Sequence, residues 1–390
     1  MIKALKHEKN AVELFCGIGG FRVACDKLSI RTIWANDINR LSCLVYGDVF
    51  GANELHEGDI RKLHAEIPPH DLLTAGFPCQ PFSSAGKKLG TRDPRGSLFQ
   101  EIVRVLGRHS PTNFVLENVK RLLSMEQGDH FATILSALTE LDYFVEWRLL
   151  NATHFGLAQN RERVIIVGTR VTNINEAKVS LAPITDLDEV VRNNLEELRN
   201  YQSWREIFRH KAKFPTWGLA YKGKCYCGAL DIFTEASPTP RLETFLEASP
   251  DESFFMDATT STRLKNSVFV NRLVDGVRIL YNQNGGARMG YTVFGTDGVA
   301  PALTASHSRH YERYKVAGRF RRLTNKEYAK LQGFPSNHCK LASVFDQYGL
   351  YGNAVPPPMA KWAINRLTGN LGFSLNEIEY PHNSQMVLFA

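Results

Sequence analysis

What this 390-residue sequence lacks narrows its class before any motif is read. No two of its seven cysteines (Cys16, Cys25, Cys43, Cys79, Cys225, Cys227, Cys339) stand in Cys-x-x-Cys spacing, and no His-x-x-x-His run accompanies Cys225-Tyr-Cys227. An odd, scattered set argues against a disulfide framework, and Cys225-Tyr-Cys227, which could be half a metal site, has no second pair to complete one. The set fits thiols kept reduced, with Cys225 and Cys227 expected on a surface loop. No stretch approaches the ~20 apolar residues that a membrane span requires. The first ten residues carry charge throughout and have no apolar leader core. The expected setting is the cytoplasm, or the nucleus of a eukaryote, with no membrane partner and no metal. Neither sign of charge dominates: 47 Lys and Arg against 40 Asp and Glu give +7, a weak pointer to an anionic partner. With 43% hydrophobic residues, the chain has material for a full core and two or three domains.

What is present, from residue 11 to 168, is an alternation of short apolar runs with helical spacing. It predicts a doubly wound, mostly parallel α/β sheet. Ala11 to Phe15 is the first strand; it enters Cys16-Gly-Ile-Gly-Gly-Phe21, after which helical spacing runs to Leu28. Glycines at 17, 19 and 20 admit a ligand to the backbone, but a Gly-x-Gly-x-x-Gly fingerprint needs glycine where Arg22 stands. Alone, these glycines read more simply as a tight turn without a ligand. Asp37 ends the strand from Arg31 and stands where such folds hold the two hydroxyls of a ribose. Turn and acid together suggest an adenosine-containing cofactor. Asp59, closing a third strand, either accepts from an adenine amino group, with Ile38 and Ile60 flanking the ring, or is a solvated loop acid.

Asp71 to Ala75 is a further strand, and Gly76-Phe-Pro-Cys-Gln-Pro-Phe-Ser-Ser-Ala-Gly86 then forbids any regular element. This puts Cys79 on a loop at a strand's C-terminal end, the edge where open α/β sheets bind ligands. Cys79 reads either as a small buried hydrophobe or as a nucleophile. Its loop, between two prolines, favours the nucleophile. Asn113-Phe-Val-Leu-Glu117 repeats the pattern of a strand ending in a carboxylate, where desolvation is unfavourable unless a partner or a function offsets it. In Gln159-Asn-Arg161-Glu-Arg163 the alternating cations point to one side if the segment is extended; salt bridges to Glu162 or other acids are the structural alternative.

In order along the chain, Phe15-Cys-Gly-Ile-Gly-Gly, Gly76-Phe-Pro-Cys-Gln, Glu117-Asn-Val, Gln159-Asn-Arg-Glu-Arg, Arg322-Leu-Thr and Gly352-Asn-Ala-Val-Pro resemble the ordered blocks of DNA cytosine-5 methyltransferases. The likeness covers nearly the whole chain, with a variable gap between about 171 and 318. It implies a prokaryotic enzyme of restriction-modification or phage defence that uses S-adenosylmethionine, leaves S-adenosylhomocysteine and methylates C5 of a flipped-out cytosine. By this resemblance Phe15, Gly17, Ile18, Gly20, Asp37, Ile38, Asp59, Ile60, Pro78, Leu98, Asn353 and Ala354 line the cofactor pocket. Cys79 adds to C6 of the base, because C5 is a poor nucleophile until the ring becomes an enamine. Glu117 at N3 and Arg163 at O2, supported by Arg161, hold the charge that develops.

Double-stranded DNA is then the expected partner, alongside cognate restriction or defence proteins, for a chain expected to act as a monomer. From Gln80 to Gly96 a mobile loop is expected, with Ser83 and Ser84 reaching into the gap left by the base and Lys87, Lys88, Arg92 and Arg95 on phosphates. Between 260 and 322 eleven Lys and Arg face three Asp and Glu, interleaved with tyrosines, the footprint of a backbone-binding surface. Gln283, Asn284, Arg288 and Arg309 are candidates to read base edges. The implied division is residues 1–183 plus 345–390 for catalysis and a smaller target-recognition domain at 184–344. Thr324 and Glu327 predict a capping box, and a closing helix is expected from Met359 to Leu367. A transfer-RNA cytosine methyltransferase on the same scaffold, or a non-catalytic DNA-binding module, are the rival readings.

Overall fold

The computed structural model describes residues 9–78, 98–183, 185–187, 195–282, 292–305 and 312–375. Cys79 and all the expected DNA contacts (Gln80, Ser83, Ser84, Lys87, Lys88, Arg92, Arg95, Gln283, Asn284, Arg288 and Arg309) lie outside them, as does the expected mobile loop.

The apolar runs of the first half form β1 (Asn10–Leu14), β2 (Arg31–Asp37), β3 (Leu55–Glu57), β4 (Leu72–Gly76) and β5 (Asn113–Val119), followed by β6 (Tyr143–Asn151), β7 (Gln159–Asn160) and β8 (Glu162–Arg170). Strands β3, β2, β1, β4 and β5 lie side by side in parallel. The inner strands β1, β4 and β5 are buried on both faces, which is why they read as largely apolar runs, whereas edge strand β3 (Leu-His-Glu) does not. On one face Val12, Leu73, Phe114 and Ile166 meet Phe99, Ile102 and Val105 of one helix (Leu98–His109) and Phe131 and Leu135 of another (Asp129–Thr139). On the other face Ala11, Leu72, Val115 and Ile165 meet Phe21 and Ala24 and the closing helix (Pro357–Thr368) through Met359, Ala360 and Ile364. That helix starts two residues before Met359, on prolines whose missing N–H is no loss in a first turn.

The full sheet has ten strands and is mixed, which corrects the mostly parallel expectation. β8 runs antiparallel between β5 and β6, and beyond β6 come Trp217–Tyr221, Lys224–Gly228 and Arg205–Glu206, all antiparallel to their neighbours. These last three strands fall inside the stretch assigned to recognition, so the large sheet extends past the expected boundary at 184. Cys225 and Cys227 belong to one of them rather than to a surface loop, and Cys225 is buried.

A second sheet has five strands: Val268–Val274, Val277–Asn282, Thr292–Phe294, Arg313–Val316 and Arg319–Arg321. Its core is continuous with the glycine turn of the first half, because Val277, Phe294 and Tyr314 cluster with Ile18 and Val45. The predicted capping box is formed: the Thr324 side chain accepts from Glu327 N, the Glu327 side chain accepts from Thr324 N, and Gly333 ends the helix (Asn325–Gln332) at φ 87°. No helix among the described residues is long and apolar enough to cross a membrane.

Candidate active site

Parallel pairing brings the C-terminal ends of β1, β2, β4 and β5 to one edge of the sheet. β8, running the other way, delivers its first residues to the same edge. Gly76 is thus in register with Glu117, and Val119 with Arg163. At this edge a cavity of about 260 Å³ is walled by the glycine turn, by Asn39, Leu41 and Ser42, and by Asp346, Gly349, Leu350 and Asn353 to Val355 from near the other end of the chain. Gly17 takes φ 52° with nothing within 4 Å of where a Cβ would sit, so the turn needs glycine for its backbone and leaves open space above it. Gly20 is needed for approach: a Cβ there would fall 2.4 Å from the Val355 carbonyl oxygen. The Asp37 carboxylate accepts from Gly17 N and Asn39 N, both at 2.8 Å, and so fixes the turn against the start of the next helix. Burial raises its pKa, and these N–H groups oppose the shift.

Several wall residues were not foreseen, and Glu13 is the one that carries a buried charge-bearing group. Glu13 sits inside β1, 1% exposed, with Oε2 accepting from Tyr46 Oη at 3.3 Å and Oε1 without a hydrogen-bond partner. Burial pushes its carboxyl up to about 8, against the Tyr46 bond, the Arg22 charge and the nearby N–H groups of Arg22 and Phe21. An orphaned buried oxygen bordering a cavity is a receptor for a donor that arrives with a ligand. In sequence Glu13 is an acid inside an apolar run, a position that the strand-end reasoning applied to Glu117 does not single out.

Glu117 and Arg163 form the second part of the site. Arg163 and Glu117 form an ion pair, with Nε 2.8 Å from Oε1, and both side chains are nearly buried. Burial raises the Glu117 carboxyl above its ordinary value, while Arg163 and Arg161 pull it back. Asn118 Nδ2 donates to the Phe77 carbonyl at 3.0 Å and so fixes the chain just before Pro78 beside Glu117. Among the described residues no group of three or more His, Cys, Asp or Glu is placed to hold a metal.

Residues 10–368 match the family of C-5 cytosine-specific DNA methylases. The chain belongs to this family. Type II methyltransferase M1.ScrFI of Lactococcus lactis subsp. cremoris is 32% identical over 355 residues, covering 89% of this chain and 75% of that protein. Type II methyltransferase M.BanI of Aneurinibacillus aneurinilyticus is 29% identical, covering 94% and 96%. Among solved structures, the S. pombe Dnmt2 methyltransferase aligns over 94% of this chain and 100% of its own at TM-score 0.60 and 16% identity, a likeness of fold alone. The protein is accordingly a DNA cytosine-C5 methyltransferase, in a family that uses S-adenosylmethionine.

Within this methyltransferase the expected cofactor residues divide. Phe15, Gly17, Ile18, Gly20, Asn353 and Ala354 wall the cavity. Asp37 braces it, and Ile38, 68% exposed, is not among its walls but precedes the wall residue Asn39. Pro78 and Leu98 are not among its walls. Ile60 corrects the expectation of a ring contact: it opens a short helix (Ile60–Leu63), is 2% exposed and packs into the core. Asp59 caps that helix, and its carboxylate is engaged by Arg61 through N at 3.0 Å, Nε at 2.9 Å and Nη2 at 2.6 Å. Arg161, expected to support Arg163, lies near enough for its charge to act on Glu117. It is 1% exposed and its guanidinium serves three backbone carbonyls, so it stands behind the site and does not reach into it.

Proposed function

We propose that this methyltransferase modifies C5 of a cytosine rotated out of double-stranded DNA, as the modifying half of a restriction-modification or phage-defence pair, with the five-stranded sheet region holding the duplex. The observation that carries the reading is the nearly buried Glu117–Arg163 pair at the strand edge where the chain enters Pro78-Cys79. Rotating the base out costs about a few kcal/mol in lost stacking and pairing. The sheet edge then offers the base what its own chemistry lacks. The Cys79 thiolate bonds to C6 and turns the ring into an enamine nucleophilic at C5. Glu117 holds a proton at N3, a role its raised pKa favours, and Arg163 neutralises charge at O2 while keeping Glu117 oriented. Once C5 carries the methyl group, its proton passes to a base and Cys79 leaves as thiolate, restoring the C5–C6 double bond.

The cavity suits S-adenosylmethionine. The unpartnered Glu13 oxygen matches an ammonium group, Asp37 matches ribose hydroxyls, and the open space over Gly17 admits the ligand to the backbone. When bound, the cofactor supplies an electrophilic methyl group. Asn353 and Ala354 close the wall opposite the glycine turn.

The deciding experiment offers duplex DNA and tRNA to the native protein and to Cys79→Ser with labelled S-adenosylmethionine. Label on DNA from the native protein alone is expected, together with a stable adduct on 5-fluorocytosine DNA whose crosslinked peptide contains Cys79. Label confined to tRNA, or equal label from both proteins, overturns the reading.

A further inference from the structure

Arg161 is buried, yet among the described residues its guanidinium meets no carboxylate oxygen within hydrogen-bond reach. Nη1 donates to the Leu303 carbonyl at 3.0 Å, and Nη2 to the carbonyls of Gly352 and Ala354 at 2.9 and 3.1 Å. Removing a guanidinium from water is strongly unfavourable, and neutral carbonyls compensate less than a carboxylate. Burial and the neighbouring Arg163 both work against its charge, with Glu117 opposing them. A cation kept under those conditions draws attention to the chain segments it joins.

Those segments are far apart in sequence. Leu303 belongs to 300–305, which leads from Thr292–Phe294 of the second sheet toward Arg313–Val316. This segment docks on β7: Ala300–Pro301 pairs with Gln159–Asn160 in parallel, and Leu303 N donates to Gln159 Oε1 at 3.0 Å. Gly352 and Ala354 belong to the turn at the cavity wall. The two segments also touch directly, since a Cβ on Gly352 would fall 2.5 Å from the Thr304 carbonyl and 2.6 Å from Ala305 N. Gln159 Nε2 donates to Gln332 Oε1 at 2.9 Å and Gln332 Nε2 to Ala354 O at 2.6 Å, closing the circuit. One planar fork therefore spans both the approach to the second sheet and the wall of the cofactor cavity.

We propose that Arg161 is a positioning residue through which segment 300–305 sets the Gly352–Ala354 wall, so that duplex DNA and cofactor strengthen each other's binding. The inference rests on the function proposed above, with DNA on the second sheet and S-adenosylmethionine in the cavity. A displacement of Leu303 when DNA docks is passed to Ala354 through bonds to one rigid group. Lysine, with a single nitrogen, cannot hold both segments in the same geometry. Coupling of this kind is reciprocal and spans about 5- to 150-fold in affinity.

The test titrates S-adenosylhomocysteine into the full chain calorimetrically, with and without saturating unmethylated mixed-sequence plasmid DNA. In the native protein the product should bind about 5-fold tighter or more with DNA present. Arg161→Lys should lower that ratio, and Arg161→Met should bring it to within about twofold of unity. A merely structural role would lower the melting temperature and leave the ratio intact. A native ratio of one, or a folded Arg161→Lys with the full native ratio, overturns the proposal. Should the variants fail to fold, the native ratio alone decides. A native chain that binds neither product nor DNA overturns the proposed function, and this inference with it.

Discussion

Two pairs of buried glutamates divide the molecule into a scaffold and a site. Away from the cavity, Glu327 takes Arg321 on both oxygens at 2.7 and 2.8 Å, with Thr324 N at 2.7 Å and Glu247 N at 2.8 Å. Glu146 takes Ser180, Leu181 and Ala182 N–H groups and Trp217 Nε1, all within 3.0 Å. At the sheet edge, Glu13 keeps one oxygen orphaned, and Glu117 has Arg163 on one oxygen as its ion-pair partner among the described residues. A saturated carboxylate is finished by folding, whereas a half-satisfied one waits for something folding does not supply. Burial alone does not separate the two pairs, because all four are buried.

Removing charge from each class sharpens that division. Glu117→Gln should lower kcat about 10²- to 10⁴-fold while the melting temperature holds or rises; a loss of stability with kcat retained would place Glu117 with the scaffold. Arg321→Met should do the reverse, leaving Glu327 buried and uncompensated at about 3–5 kcal/mol of stability, read by urea unfolding, with near-native kcat in the molecules that remain folded.

Glu13→Gln should weaken S-adenosylhomocysteine about 10-fold, the scale of a hydrogen bond to a charged group. It should also change the pH dependence of the ligand-free protein. A carboxyl raised from 4.5 to about 8 contributes stability below pH 4.5 that is lost as pH rises toward 8. Native protein should therefore lose melting temperature relative to Glu13→Gln across that window. The smallest effect is expected at His70, whose pKa burial lowers from 6.5 to about 4. Its contribution is complete above pH 6.5 and lost as pH falls toward 4, so His70→Asn should reduce the acid loss of stability.

The same contrast explains what could be read in advance. Asp37 and Glu117 were legible because an acid directly after an apolar run marks a strand end at the ligand edge. Glu13 escaped because it lies within the run, where burial pattern and not position carries the message. Asp59 resembled Asp37 in sequence, but Arg61 two residues later engages its carboxylate, a local contact that strand-end logic does not see. Arg161 and Arg163 were paired by extended spacing; the break between β7 and β8 falls at Arg161 and turns its guanidinium to carbonyls contributed by residues 303, 352 and 354. The parallel half of the sheet was readable from its apolar runs. The strands between 205 and 228 were not, because aromatic, glycine and cysteine residues there obscure the period-two alternation.

The cavity's walls come from residues 13–42 and 346–355, with Gly76 between. During synthesis the first set leaves the ribosome long before the second exists, at ~5–20 residues per second a delay of roughly 15 to 60 s. A nascent or prematurely terminated polypeptide thus has half a pocket, and the cavity closes only after residues 346–355 have been made.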